Sequence, residues 1–364
     1  TTQVAELKYD LNKPVRDKQR EQVLLEKLVT QGQHLNLDPS YITRLFHIII
    51  EHSVLQQQSL LEQTANPENV VDKASVAILG EKGSYSYLAG KKYFDRRLIE
   101  CVEIGCSSFA QAVKTVEEKK ADYAVIPIDN STFGSINEVY DQLQQTQLHI
   151  VGEVNEEIEH HVLVHKDTNN NSIKTLYAHP QIFAQCSHLL AELGNIEVKP
   201  CDSTSAAMKK VQRLEDSSVA AIGPELGGEY YGLKPASSNL TQLSKNRSRF
   251  IVVASEQIIV PLQVPAKTTV IMSIMQTPGS LVDVLLVLKH HHIAMTKLES
   301  RPVPGNPWEE MFYVDMLGNT QDNDMASAIE ELKTMTRYFK LLGCYPIESI
   351  SPTKVSATAL LEDE

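Results

Sequence analysis

The sequence predicts a multidomain protein: an all-α segment, an α/β body of two lobes, and a small α+β domain of ferredoxin-like order. Three observations predict it. Residues 1–63 carry helical periodicity and no strand pattern. Residues 75–255 alternate short apolar strands with amphipathic helices, the pattern of an α/β fold with a ligand cleft between two small lobes. Residues 268–346 read β, α, β, β, α, β, the order of a ferredoxin-like domain. With 364 residues the chain can bury several separate cores, and its 42% hydrophobic and 22% charged residues are ordinary for a soluble globular protein.

In the helical segment, residues 17–29 are good helix formers with apolar positions at Val23, Leu24, Leu25, Leu28 and Val29. Asp38 and Pro39 punctuate, and a long helix follows over 40–61 with an apolar stripe that includes Ile42, Leu45, Ile49 and Val54. A segment this short cannot bury that stripe alone, so dimerisation is expected. Asp17, Arg20 and Glu21 share one helical face at i, i+3 and i+4, and Ser53 and Gln57 share another. Taken alone, both groupings read as solvated faces. Residues 64–74 are polar, contain Pro67 and read as a linker.

The α/β body has strands at 76–79, 123–128, 149–154, 161–165, 174–178, 196–199, 219–222 and 250–254, with helices at 86–94, 109–118, 180–193 and 205–214. Polar, small-residue turns follow strand ends at 80–86 and 129–135, and Ser203-Thr204-Ser205 opens a helix with capping hydroxyls. Helix N-termini of this kind suit carboxylates or phosphates, and neither a Walker ending nor GxGxxG is present to indicate a nucleotide. Asn246-Arg247-Ser248-Arg249-Phe250 leads into the last apolar strand, so Ser248 and Arg249 are expected where a loop enters the sheet. A hydroxyl beside a guanidinium suits proton donation to a held anion. His179 sits at a strand-to-helix turn, where it lines the cleft or fills it.

Beyond a short linker at 260–267, strands are expected at 268–275, 293–301, 308–317 and 344–347, with helices at 279–289 and 325–341 and a tail at 347–364, disordered beyond Ser351. The formal charge of −12 argues against nucleic acid and anionic membranes as partners. The five cysteines are scattered without a CxxC pair, and the histidines at 161, 165 and 290–292 lack a second ligand group, so no disulfide framework and no metal site is expected. No apolar stretch is long enough to span a membrane, no secretory signal is seen, and a cytoplasmic setting is expected.

The motifs GSYS (83–86), ADYAVIPIDNSTFGSINEVYD (121–141), YAHPQ (177–181), STSAA (203–207) and NRSRF (246–250) resemble those of prephenate dehydratase. GSLV (279–282) and ESRP (299–302) resemble its regulatory ACT domain, and residues 1–63 resemble the helical chorismate mutase domain fused ahead of it. In that order the chain resembles the bifunctional P-protein family of bacterial phenylalanine synthesis. The resemblance implies a two-lobed, periplasmic-binding-protein-like dehydratase domain, substrates chorismate and prephenate, no cofactor, phenylalanine as feedback effector, and a homo-oligomer. It further implies Ser248 as the catalytic hydroxyl, with Asp129, Asn130, Ser131, Thr132, Gln185, Asp202, Thr204, Ser205 and Arg249 binding prephenate. Lys8, Asp17, Arg20, Glu21, Ser53 and Gln57 would hold chorismate. Gly279, Ser280, Leu281, Val282, Glu299, Ser300, Arg301 and Pro302 would bind phenylalanine at a subunit interface.

The chain departs from the family pattern with Asp129 and Asp202 for Glu, Ala178 for Ser and Ser248 for Thr. Ser248 keeps the donor but lacks the γ-methyl that restricts its rotamer, so a less pre-organised dehydratase is expected. Residues 1–9 match only the end of the family's first mutase helix, from which weak or absent mutase activity is expected for the chain as it stands. The rival readings are a dehydratase with an inactive mutase segment, an arogenate dehydratase, and a non-catalytic two-lobed sensor of an aromatic acid.

Overall fold

The computed structural model describes residues 2–166, 168, 173–185, 196–236, 246–303, 306, 309–348 and 353. The helical segment is α1 (Thr2–Asp10), α2 (Lys18–His34) and α3 (Pro39–Ala65). Asp17 caps α2, its carboxylate accepting from Arg20 N at 3.0 Å, and Asp38 caps α3 with Pro39 in the first turn, where a missing N–H costs nothing. The core of this segment is shared: Ala5, Val15, Val54 and Leu61 pack with Val260, Val264 and Ala266, so the stretch expected as a linker is partly a core element. Leu45 and Ile49 of the apolar stripe stay exposed, as does Ile48 beside them, at 65%.

The first lobe is built from β1 (Lys73–Leu79), α4 (Tyr85–Asp95), β2 (Glu100–Cys106), α5 (Phe109–Glu117), β3 (Tyr123–Asn130), β4 (Gly134–Ser135), α6 (Asn137–Gln145) and β5 (His149–Glu157). The chain then crosses to the second lobe: β6 (His161–His165), β7 (Thr175–Ala178), α7 (Pro180–Gln185), β8 (Glu197–Pro200), α8 (Thr204–Leu214), β9 (Val219–Gly223), α9 (Glu225–Tyr230) and β10 (Leu233–Pro235). It returns as β11 (Arg247–Ala254), which completes the first sheet in the order β2-β1-β3-β11-β5, with β4 beside β3. The second sheet runs β10-β6-β9-β7-β8. The two crossings pair with each other, Ile158 N donating to Asn246 O at 2.8 Å, so the hinge is a narrow double strand below the cleft.

Across the cleft the lobes touch through the turn after β1. Glu81 N donates to Ser205 Oγ at 2.8 Å, and the Tyr231 hydroxyl donates to Lys82 O at 2.6 Å. Gly80 has φ +85°, and a Cβ there would lie 2.7 Å from Ser205 Oγ, so only glycine allows this approach.

The C-terminal domain is β12 (Ala266–Ile274), α10 (Ser280–His290), β13 (Ala294–Pro302), β14 (Glu310–Leu317), α11 (Asn323–Met335) and β15 (Thr336–Pro346), with sheet order β13-β14-β12-β15. The ferredoxin-like order is therefore present. Both helices cover one face, packing Val284, Leu288, Ile329 and Leu332 on Val270, Phe312 and Val314. The other face joins the first lobe: Ile271, Tyr313, Leu342 and Tyr345 share a core with Tyr140, Ile150 and Ile251. The contact is close, since a Cβ on Gly343 would lie 2.1 Å from the Ile150 carbonyl oxygen.

Three local expectations differ from the structure. β2 was not foreseen, because its exposed positions interrupt the apolar run at a sheet edge. The helix expected to Leu341 ends at Met335; Thr336 to Pro346 pairs instead along β12, and tertiary pairing overrides the local pattern. Thr353, in the part of the tail expected to be disordered, meets the helical segment through Arg16, Glu21 and His47, and earlier in the tail Glu348 pairs with Arg96 and Arg97. The rest of the tail lies outside the described residues.

Candidate functional site

Ser248 and Arg249 lie within β11, hydrogen-bonded on both sides, and not in a loop entering it. Adjacent residues of a strand point to opposite faces. Ser248 and Phe250 therefore line a cavity of about 100 Å³ between the lobes, and Arg249 does not.

In that cavity Asn130 Nδ2 donates to Ser248 Oγ at 3.0 Å and to Asn246 Oδ1 at 2.8 Å. Asn130 Oδ1 accepts from Thr132 N at 2.9 Å and Phe133 N at 3.1 Å, so its amide orientation is determined by its partners. Ser248 Oγ accepts this bond on the cavity wall, which keeps the serine O–H available to donate, as a proton donor requires. Ser84 and Ser203 cap α4 and α8, accepting from Tyr87 N at 3.2 Å and Ala206 N at 3.0 Å, and both line the cavity. Two helix N-termini thus converge on it, with Ser86 and Thr204 in their first turns. The Tyr85 hydroxyl sits between Glu159 O at 2.6 Å and His160 Nδ1 at 2.8 Å. Burial holds the pKa of His179 below the usual imidazole range, with Asp202 pulling the other way. Among the described residues lining this cavity there is no Lys or Arg, so an anion here meets helix N-termini, hydroxyls and amides.

The expected prephenate set is only partly assembled. Ser248, Asn130 and Thr204 line the cavity. Asp129 and Arg249 are on the opposite face of the sheet, paired with each other at 3.0 Å, because each neighbours a cleft residue along its strand. Arg249 also contacts Glu153 at 3.5 Å and Asp315 of the C-terminal domain. Ser205 is buried as the interlobe acceptor for Glu81 N. Ser131 Oγ accepts from Arg247 N at 2.9 Å, and Thr132 lies at the cavity's edge through its bond to Asn130. Asp202 is in the turn before α8, near His179 but not among the lining residues. Gln185 ends α7, and its side chain lies outside the described residues. Tyr85 and Ser86 belong to the 80–86 turn singled out in the sequence without being named as site residues, and His160 and Phe250 were missed. Alternation along 248–250 was a readable signal for Phe250; nothing local marks His160.

In the helical segment Lys8, Asp17, Arg20 and Glu21 share one neighbourhood. Burial lowers the Lys8 pKa and Arg20 adds to this, while Asp17 and Glu21 oppose it. Lys8 Nζ donates to Val15 O. Glu21 is paired with Arg16 at 3.1 Å and accepts from the Thr353 hydroxyl. Gln57 Nε2 donates to Ser53 O at 3.1 Å, and Gln57 Oε1 is buried without a partner among the described residues. Gln57 also lines a separate cavity of about 520 Å³ bounded by His52, Arg96 and Arg97, which the other expected mutase residues do not line.

In the C-terminal domain Gly279, at φ +92°, precedes α10, and Ser280, Leu281 and Val282 form its first turn. Strand alternation divides the ESRP group. Glu299 accepts from Ser135 Oγ at 2.6 Å and Arg301 pairs with Asp141 at 3.0 Å, both toward the first lobe. Ser300 is in register with Phe312, on the helix-covered face, and Pro302 shares its alternation. Glu299 and Arg301 are therefore in contact with the first lobe, whereas Gly279 to Val282 and Ser300 are not placed against it.

The two-lobed body, with its cleft hydroxyl, is a dehydratase-type domain: the prephenate dehydratase family model matches residues 76–258, and the chorismate mutase type II model matches residues 1–58. The chain is 50% identical, over 97% of its length and 91% of the relative's, to the bifunctional chorismate mutase/prephenate dehydratase of Enterobacter agglomerans. It is 48% identical to that of Escherichia coli K12, over 96% of this chain and 90% of that one. The chain belongs to the bifunctional chorismate mutase/prephenate dehydratase family. The solved prephenate dehydratase of Arthrobacter aurescens, in complex with L-Phe, has the same fold, with a TM-score of 0.68 and 24% identity over 78% of this chain and 94% of that one.

Proposed function

We propose that the cleft converts prephenate to phenylpyruvate with Ser248 as the proton donor. The observation that carries this is the Asn130–Ser248 hydrogen bond, which fixes Ser248 Oγ as an acceptor on the cavity wall and keeps its O–H available as a donor. In the reaction the bond from the ring to its carboxylate breaks, and that electron pair enters the ring. The ring C–O bond breaks in turn, and the hydroxyl leaves with the serine proton as water. The carboxylate leaves as CO2, and solvent restores the proton to Ser248. Aromatisation drives the step, so the protein's task is orientation and protonation. A serine hydroxyl is a weak acid on its own; the Asn130 amide, itself held by Thr132 and Phe133 N–H groups, favours the developing charge on Oγ. The N-termini of α4 and α8 meet the carboxylates in place of the arginine expected from sequence. Phenylpyruvate formation from prephenate by the unaltered chain, lost in Ser248→Ala with the fold retained, is the test.

The helical segment supplies prephenate from chorismate, a pericyclic rearrangement that needs charge placement and no nucleophile. Lys8, with Asp17, Arg20 and Glu21 around it, and the Ser53–Gln57 pair are the groups for that site. Phenylalanine is the effector of the C-terminal domain, bound near Gly279 to Val282 and Ser300. Exposed apolar residues on α3 and on α10, among them Ile48, Ile49, Val282 and Leu286, support a homo-oligomer. As an enzyme of amino-acid synthesis it works in the cytoplasm.

A further inference from the structure

The cleft pair has a counterpart on the other face of the same two strands. Ser248 faces Asn130 across the β11–β3 ladder; on the next rung Arg249 faces Asp129, with a bulge directly after Arg249. Consecutive rungs present opposite faces. The cleft rung therefore carries the hydroxyl and its amide, and the rung behind it carries an ion pair of 3.0 Å. The C-terminal domain clamps that second rung. Asp315 of β14 pairs with Arg249, and Lys297 of β13 pairs with Asp129. Asp315 is itself held by the Thr269 hydroxyl at 2.7 Å, and Glu153, 3.5 Å from Arg249, is held by Lys267 at 2.6 Å.

We propose that Arg249 is a positioning residue for the dehydration: through Asp129 and Asp315 it holds the Ser248–Asn130 rung in place, and the C-terminal domain adjusts turnover through that grip. This rests on the dehydratase reading and names its regulation. The planar guanidinium contacts three carboxylates from two domains, which an ammonium cannot reproduce. β13 carries both Lys297 and Glu299, and Glu299 accepts from Ser135, the register partner of Asp129. Any shift of β13 therefore acts directly on the strand that holds Asn130.

The test uses the full chain and three proteins: unaltered, Arg249→Lys and Asp315→Asn. Steady-state turnover of prephenate, with and without phenylalanine, is measured beside thermal unfolding. Both variants should lose about tenfold in kcat with KM changed less than about twofold, the signature of a displaced donor and not of lost binding. Both should also move the half-inhibiting phenylalanine concentration by about fivefold or more, since the coupling runs through this pair. Asp315 belongs to another domain and cannot touch substrate, so it decides the matter if Arg249→Lys fails to fold. A raised KM in Arg249→Lys with a silent Asp315→Asn overturns the inference in favour of direct substrate binding. A lowered unfolding temperature with kcat and phenylalanine response unchanged overturns it in favour of a merely structural pair. Failure of the unaltered chain to consume prephenate would remove the dehydratase reading itself, and is seen before any variant is compared.

Discussion

Asn130 and Ser248 face each other on adjacent strands, and the Asn130 amide donates to the serine oxygen at 3.0 Å. The bond crosses sheet neighbours that are far apart in sequence, so the sheet itself sets the donor's direction. Asn130→Ala would leave Ser248 in place but free to rotate, and would leave Asn246 Oδ1 with only the longer 3.5 Å bond from the Thr132 hydroxyl. A loss of about 100-fold in kcat is expected, with a smaller change in KM. Stopped-time phenylpyruvate assays on purified variant and parent check it.

Gly80 is the contact point of the closed lobes. Gly80→Ala places a methyl 2.7 Å from Ser205 Oγ and puts an L-residue at φ +85°. Stability should fall by about 1–2 kcal/mol from the backbone alone. The lobes should also close less completely, raising KM for prephenate. Small-angle scattering with and without substrate would show the more open form.

Arg97 ties three parts of the chain together. It pairs with Glu62 of α3 at 2.9 Å and with Glu348, after β15, at 2.8 Å, all three buried. Arg97→Ala leaves the buried Glu62 carboxylate without its partner, while Glu348 keeps Arg96 at 2.6 Å, and a loss of about 3–5 kcal/mol is expected. Urea unfolding measures it. Arg97→Ala paired with Glu62→Gln should recover part of the loss, because the stranded Glu62 charge is gone.

Two histidines set the pH response of stability near neutrality. Burial lowers the pKa of both His149 and His179 from the ordinary 6.5. The unfolded chain therefore takes up protons at these groups before the folded chain does. Their contribution is full above pH 6.5 and is lost as pH falls below it. Asp315 is held below its ordinary 3.8 by Arg249 and Lys267, against the effect of burial, and its contribution is lost only in stronger acid. Thermal midpoints should fall between pH 7.5 and 5.5, and a His149→Gln/His179→Gln variant should flatten that slope.

Much of this was readable in the sequence, and the failures have common physical causes. Domain order, the strand after NRSRF and the capping turns follow from local periodicity, which a short window contains. Arg249 was expected where a loop enters the sheet and lies instead within β11, on the face opposite Ser248; the alternation that places it there was already visible two residues later. Asp129, Glu299 and Arg301 share that geometry, each being one step out of phase with its strand neighbours. His160 and the Thr353–Glu21 contact depend on crossings between distant segments, and no local pattern reports those.

The central claim is that the Ser248 hydroxyl donates the proton that releases the prephenate hydroxyl. The most direct measurement is kcat for phenylpyruvate formation by Ser248→Ala beside the parent and Ser248→Thr, with folding confirmed by circular dichroism. The account predicts a loss of about 100-fold or more in Ser248→Ala and retained activity in Ser248→Thr, which keeps the donor. A Ser248→Ala enzyme with the parent's kcat would contradict it.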